Sequence, residues 1–287
     1  MSVSEIIESH VEQMKAEGWC LVEGVIPEDQ VDSLCDHVQE GHKNGLKYYE
    51  EIGGSLVFQS DAEGKPHRNA VSFIPGLAAY FGDERVVGIA KALLDPHHIR
   101  IAQTEFKTRQ PGERKMGHRG WHSDFPHDLT DRERAGAFIM PFPNVVAGIT
   151  ALWMLSDFSP ENGGTWVVPR SHRDLRNPRS HLDPRNPPEM HDDIPIKQSI
   201  PGEIQLEGKA GSVVMIDSRI WHTAGNNPSD EPRVTMLTRY SPWWMNLEFG
   251  GRNQAMVPRV IYERFPEEVK LLYKHRVEGE ANPIQRY

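Results

Sequence analysis

The strongest constraint on the fold of this chain is a change of hydrophobic period near residue 98. Beyond it, Ile99, Ile101 and Gln103 through Phe106 read as a strand, as do 148–155, 164–168, 203–207, 212–217 and 233–240. Turn residues separate these runs: Asn162-Gly163-Gly164, Pro201-Gly202, Gly208 to Gly211 and Gly225 to Pro232. Short strands with no helices between them predict a sandwich or barrel rather than βαβ units.

Before residue 98 the period is helical. Ser2 and Glu5 form a capping-box pattern, followed by Ile6, Ile7, Val11 and Met14 at helical spacing. Trp19 to Val22 reads as a strand. Pro27 suits the first residue of a second helix with an apolar stripe of Val31, Leu34 and Val38. Residues 42–75 look irregular and glycine-rich, 83–94 read as a third helix, and 256–275 return to helix. The expectation is a single domain over 1–287. It comprises helical support (1–97), a jelly-roll core (98–245) and a C-terminal extension (246–287), with a long excursion at 170–193.

Charge narrows the function. With 32 Lys and Arg against 41 Asp and Glu, the net charge of −9 argues against a nucleic-acid or membrane-surface binder. No long apolar run reads as a membrane span, and the first fifteen residues carry Glu5, Glu8 and Glu12, unlike a signal peptide. A cytoplasmic protein acting on a small molecule is expected, with oligomeric state open. Cys20 and Cys35 have no metal-like spacing.

Metal chemistry is the obvious use for 14 histidines, but the signal is crowded. His-x-Asp occurs four times, at His122/Asp124, His172/Asp174, His181/Asp183 and His191/Asp193. A His-x-Asp on or beside a strand puts both side chains on one face. Adding a second His from a later strand gives a facial set that leaves coordination positions open on Fe(II). His222 follows the apolar run Val213 to Ile216 and is the best third ligand. The pairs at 172, 181 and 191 are separated from it by little more than the Pro-rich excursion. His122 lies 100 residues before His222, leaving room for the intervening strands, and follows the strand at 99–108. His122, Asp124 and His222 are therefore selected.

Together, Trp121-His122-Ser123-Asp124, the run Asp157 to Arg173 containing Asn162-Gly163-Gly164-Thr165-Trp166, Gly211-Ser212-Val213-Val214 and Trp221-His222 resemble the phytanoyl-CoA dioxygenase family over roughly residues 15–245. The resemblance implies a mainly β fold: a double-stranded β-helix (jelly-roll, cupin-like) with N-terminal helices and a short C-terminal helix. It also implies a non-haem Fe(II)/2-oxoglutarate-dependent dioxygenase that consumes O2 and releases succinate and CO2, with hydroxylation as the default outcome. The family pattern places an Arg about eleven residues after the distal His. Arg233 stands there, and its planar fork suits the far carboxylate of 2-oxoglutarate.

On the same resemblance, Gln103 and Lys107 occupy positions facing cosubstrate or substrate. Thr223 is the nearest hydroxyl to the position where many members have Ser, because Ala224 stands there. Trp153 is a further candidate for the pocket wall. Arg170 replaces the usual Gly of a Pro-Gly-Ser-His turn. Two rival readings stay open: a cupin-like metalloenzyme that does not use 2-oxoglutarate, and a non-catalytic jelly-roll binding module.

Overall fold

In a computed structural model that describes residues 1–51, 70–112, 121–124, 146–174, 199–245 and 256–278, the chain opens on helix α1 (Val3–Glu17). Ser2 and Glu5 close a reciprocal capping box at its N-terminus, and Gly18 ends it in the left-handed region at φ 85°. Strand β1 (Trp19–Val22) follows. Helix α2 (Glu28–Glu51) is longer than its sequence promised. Gly41 and Gly45 had marked the start of irregular chain, yet helix continues through both, because packing of the apolar face outweighs the modest cost of glycine in a helix. Helices α3 (Pro75–Ala78) and α4 (Glu84–Leu93) complete the N-terminal layer, with Asp83 capping α4 by accepting from the backbone N–H groups of Arg85 and Val86.

Six of the β elements lie close to their expected positions, β2 (Ile99–Phe106), β3 (Ile149–Met154), β4 (Trp166–Val167), β5 (Ile204–Gln205), β6 (Val213–Asp217) and β8 (Thr235–Pro242), and a short strand that was not expected, β7 (His222–Thr223), lies between the last two. They form a five-stranded antiparallel sheet, β1-β6-β3-β8-β2, and a three-stranded one, β5-β4-β7. One boundary needs correction. Strand β1 pairs along β6, Trp19 opposite Ile216 through Val22 opposite Val213, so the core sheet draws an edge strand from the segment read as helical support. Helices α5 (Arg259–Tyr262) and α6 (Glu267–Tyr273) close the described chain. The excursion at 170–193 is described only to Asp174, and the rest of it lies outside the described residues.

Two apolar clusters sandwich the large sheet. Its outer face sends Ile99, Ile101, Trp153, Met215, Met236 and Tyr240 into a core shared with α1, α4 and α6. Its inner face sends Leu152, Met154, Val214, Ile216 and Leu237 toward Phe158, Val167 and Leu206 on the small-sheet side. Alternation along a strand assigns each residue to one face or the other. On β2 it is interrupted. Ile101 pairs with Tyr240 but Gln103 pairs with Arg239, so Ala102 is an extra residue, a bulge. Positions 99 and 101 therefore face outward, whereas 103 and 105 face inward. No helix among the described residues is long and apolar enough to cross a membrane.

Candidate metal and cosubstrate site

His222 reaches the interior on a strand of two residues. Its backbone exchanges hydrogen bonds with His122, N–H to carbonyl at 2.8 and 3.1 Å in the two directions, which brings the imidazole centroids to 4.4 Å. Strand β7 is held against β4 by Val167 opposite His222 and Trp166 opposite Thr223. The turn before β4 fits closely because it is glycine: a Cβ on Gly163, at φ 76°, would stand 1.6 Å from the carbonyl oxygen of Asn226.

Asp124 completes the group. One ligand atom from each of His122, Asp124 and His222 lies within 4.8 Å of the others, and Asp124 Oδ1 is 3.8 Å from His222 Nε2. The Nδ1 of His222 is 3.0 Å from the Ile220 carbonyl. Donation of the Nδ1 proton to that carbonyl leaves Nε2 with a bare lone pair aimed at Asp124. Burial works against a charged Asp124. The guanidinium of Arg239, the two imidazoles and the Thr150 hydroxyl outweigh it and hold the carboxyl well below the usual carboxylate range. Two imidazoles and an ionised carboxylate with donor atoms this close form a donor set that Fe(II) accepts, so the residues present fit the metal.

The other selected residues separate into two groups. Arg233 is buried at the start of the inner stripe of β8. Its guanidinium stands 4.8 Å from the ring centre of Phe158, and its backbone pairs with that of Arg109. Gln103 and Lys107 also face inward, and both meet Glu105: Gln103 Nε2 donates to it at 2.6 Å and Lys107 Nζ at 2.8 Å.

Two residues do not join the site. Trp153 lies on the outer face, its ring 5.0 Å from that of Phe81 and its Nε1 donating to Thr238 Oγ1 at 2.8 Å. Thr223 alternates with His222. It sits opposite Trp166, whose ring packs with Trp121, Ile200 and Trp221 on the far side of the small sheet from Val167. Trp153 was a candidate for the pocket wall and Thr223 the hydroxyl nearest a family Ser position, and strand alternation sends both away. His172 is likewise elsewhere. It is buried beneath the end of α1, with Nε2 at 3.2 Å from the Lys15 carbonyl.

Arg170, the departure from the turn pattern, adopts φ 70°, the left-handed conformation that suits glycine. Its backbone N–H donates to the Glu17 carbonyl at 2.9 Å, and its guanidinium grips the Glu17 carboxylate through Nε and Nη2. The turn keeps its shape despite the side chain.

Arg239 and Thr150 were not anticipated. An Arg in the apolar run Met236 to Tyr240 signals a partnered buried cation, but nothing in the sequence says that the partner lies 115 residues earlier.

A jelly roll holding two histidines and an aspartate in this order and geometry defines the class of non-haem Fe(II) oxygenases. The model of the phytanoyl-CoA dioxygenase (PhyH) family matches residues 14–235, and the chain belongs to that family. The protein is an Fe(II)/2-oxoglutarate-dependent dioxygenase, with O2 as its second cosubstrate. It is 25% identical to dioxygenase af480 of Aspergillus fumigatus over 265 residues, 90% of this chain and 74% of that one. It is 32% identical to an ectoine dioxygenase of Nocardia farcinica over 164 residues, covering 53% of this chain and 51% of the relative. Among solved structures, the non-haem α-ketoglutarate-dependent carbocyclase SnoK from nogalamycin biosynthesis superposes with a TM-score of 0.58 at 20% identity, over 84% of this chain and 86% of that one.

Proposed function

We propose that His122, Asp124 and His222 bind the Fe(II), that Arg233 anchors 2-oxoglutarate, and that the enzyme hydroxylates a small organic molecule. The observation that carries the ligand assignment is the convergence of three donor atoms within 4.8 Å. When bound, iron with 2-oxoglutarate and O2 supplies the oxidising chemistry, with succinate and CO2 as coproducts. The residues of the chain supply placement. His222 offers Nε2 because Ile220 fixes its tautomer. Asp124 brings a negative charge that two imidazoles cannot. Arg233, inward-facing and buried beside Phe158, offers a planar two-pronged donor in a partly dry place, where a charge-assisted pair is strong. Gln103 and Lys107 face the same interior as polar neighbours of the cosubstrate. Leu152 and Leu237, on adjacent strands of the inner face, exclude water from the space between.

Anaerobic titration of the Fe(II) protein with 2-oxoglutarate tests the assignment through the visible charge-transfer band of the chelate. His122→Ala is expected to abolish stoichiometric iron binding. Arg233→Ala is expected to keep the iron and weaken 2-oxoglutarate. Truncating one partner of such a pair costs about 2–5 kcal/mol, so the loss of affinity is roughly thirty- to several-thousand-fold. Full 2-oxoglutarate affinity in Arg233→Ala would remove Arg233 from the proposal. Iron binding retained in His122→Ala would overturn the ligand set.

A further inference from the structure

Of the two oxygens of Asp124, Oδ1 is the one 3.8 Å from His222 Nε2. The other is more tightly held. Oδ2 accepts from Arg239 Nη2 at 2.7 Å and from Thr150 Oγ1 at 2.8 Å. Arg239 Nε is 3.3 Å from the same Thr150 oxygen, so the three side chains close a ring of hydrogen bonds. On its other side, Arg239 Nη1 donates to Gln103 Oε1 at 3.1 Å.

These partners stand in one row across the sheet. Arg239 on β8 is directly opposite Thr150 on β3 and directly opposite Gln103 on β2. All three are buried, at 4%, 1% and 1% exposure. The row continues into Glu105 and Lys107 through the two hydrogen bonds given above. A polar chain this well satisfied, built on three paired strands, fixes its members' rotamers.

We infer that Arg239, set by Thr150 and Gln103, is a positioning residue that occupies Oδ2 of Asp124 and leaves Oδ1 alone to meet the metal. The inference rests on Asp124 being a metal ligand. Its consequence is a matter of counting. An octahedral ion has six positions, and a set of two imidazoles and one single-toothed carboxylate leaves three. The chelating cosubstrate takes two and O2 needs the third. A carboxylate with both oxygens free can chelate, and would close one of those three. Two short hydrogen bonds to Oδ2, one of them charge-assisted, oppose that mode.

Titration of the full-length protein with Co(II) tests this, because the intensity of the visible absorption of Co(II) reports its coordination number independently of turnover. Thr150→Val removes one oxygen from the row and keeps the shape, and Arg239→Met removes the charge and the fork. Each is expected to weaken Co(II) binding about 10- to 100-fold, the range found for groups that orient metal ligands, and to change the absorption intensity. Thr150→Ser, which restores the hydroxyl, is expected to return both to wild type. Wild-type affinity and spectrum in Thr150→Val and Arg239→Met, even with a lowered Tm, would reduce Arg239 to a structural counter-ion and overturn the inference. If Arg239→Met fails to fold, Thr150→Val decides alone. Asp124→Ala separates the two levels: wild-type Co(II) affinity and spectrum in that variant would overturn the ligand assignment itself, and the inference with it.

Discussion

The two faces of the large sheet are made by the same strands and behave as different materials. On β3, Thr150 and Leu152 point inward while Ala151 and Trp153 point outward. On β8, Leu237 and Arg239 point inward while Met236 and Tyr240 point outward. The outer face is a conventional core, in which each polar atom serves an apolar body. Trp153 Nε1 is satisfied by Thr238, and the Tyr240 hydroxyl donates to the Phe81 carbonyl at 2.8 Å. The inner face buries ions. Its cations and carboxylates are arranged so that Lys107, Glu105, Arg239 and Asp124 alternate in sign through Gln103 and Thr150. Stability is concentrated on one face and chemistry on the other, and the difference is a single step along each strand.

That division can be broken by exchanging effects between the faces. The largest expected contrast pairs Trp153→Ala with His222→Ala. Trp153→Ala should destabilise the fold by about 3–5 kcal/mol, as for large aromatic truncations in a packed core. The protein that remains folded should bind Fe(II) and 2-oxoglutarate as wild type does. His222→Ala should do the reverse, losing the metal with a smaller change in stability. Denaturant unfolding alongside metal titration checks both, and a lost metal site in folded Trp153→Ala would erase the distinction between faces.

A smaller effect sharpens the outer face alone. Tyr240→Phe removes a hydroxyl from the Phe81 carbonyl and should cost on the order of 1 kcal/mol, the usual net value of a buried hydrogen bond. Its charge-transfer band with 2-oxoglutarate should be unchanged. A shifted band would mean that strain on the outer face reaches the iron.

The smallest effect concerns pH and lies away from both faces. His172 Nε2 faces the Lys15 carbonyl, and Nδ1 is buried with no hydrogen-bond partner among the described residues. Burial holds its pKa below the ordinary value. The unfolded chain therefore binds the proton more readily than the folded one, so stability should fall as pH drops through about 6.5. His172→Gln should flatten that part of the Tm–pH profile while leaving metal stoichiometry intact. An unchanged slope would assign the acid sensitivity to other groups.

Much of this arrangement was legible from the residues. Strand positions were, because Gly- and Pro-rich turns bracket short apolar runs. The meeting of His122, Asp124 and His222 was, because only His122/Asp124 follows a strand at a distance from His222 that leaves room for the intervening sheet. What escaped was set by pairing across the sheet. Strand β1 was read as a strand, but its place in the core sheet was not, because its partner β6 lies almost two hundred residues later. Trp153 was named as a pocket-wall candidate and Thr223 as the hydroxyl nearest a family Ser position, when alternation relative to Leu152 and His222 decides their direction. Arg239 went unread, because its row with Thr150 and Gln103 exists only once β3, β8 and β2 are in register. Short-range patterns predict elements, and side-chain networks wait on the pairing.

The bulge at Ala102 has a consequence for how such a chain tolerates insertion and deletion. Were Ala102 paired as a regular strand residue, Gln103 and Glu105 would share the side of Ile99 and Ile101, and the polar stripe would fall among the helices. The carbonyl of Ala102 accepts from Arg276 beyond α6, so the C-terminal segment fastens the irregularity in place. Surface loops of this protein can gain or lose a residue as loops generally do. Removing Ala102 would close the bulge into a regular ladder and leave the faces of Ile99, Ile101, Gln103 and Glu105 as they are, whereas a residue added or removed at a regular position such as Leu152 on β3 would turn the rest of that strand to the wrong face or unpair it from its neighbours. Changes of length within the regular strands are therefore as consequential as replacing a ligand, and the bulge on β2 is a place where a residue can be lost without turning the strand.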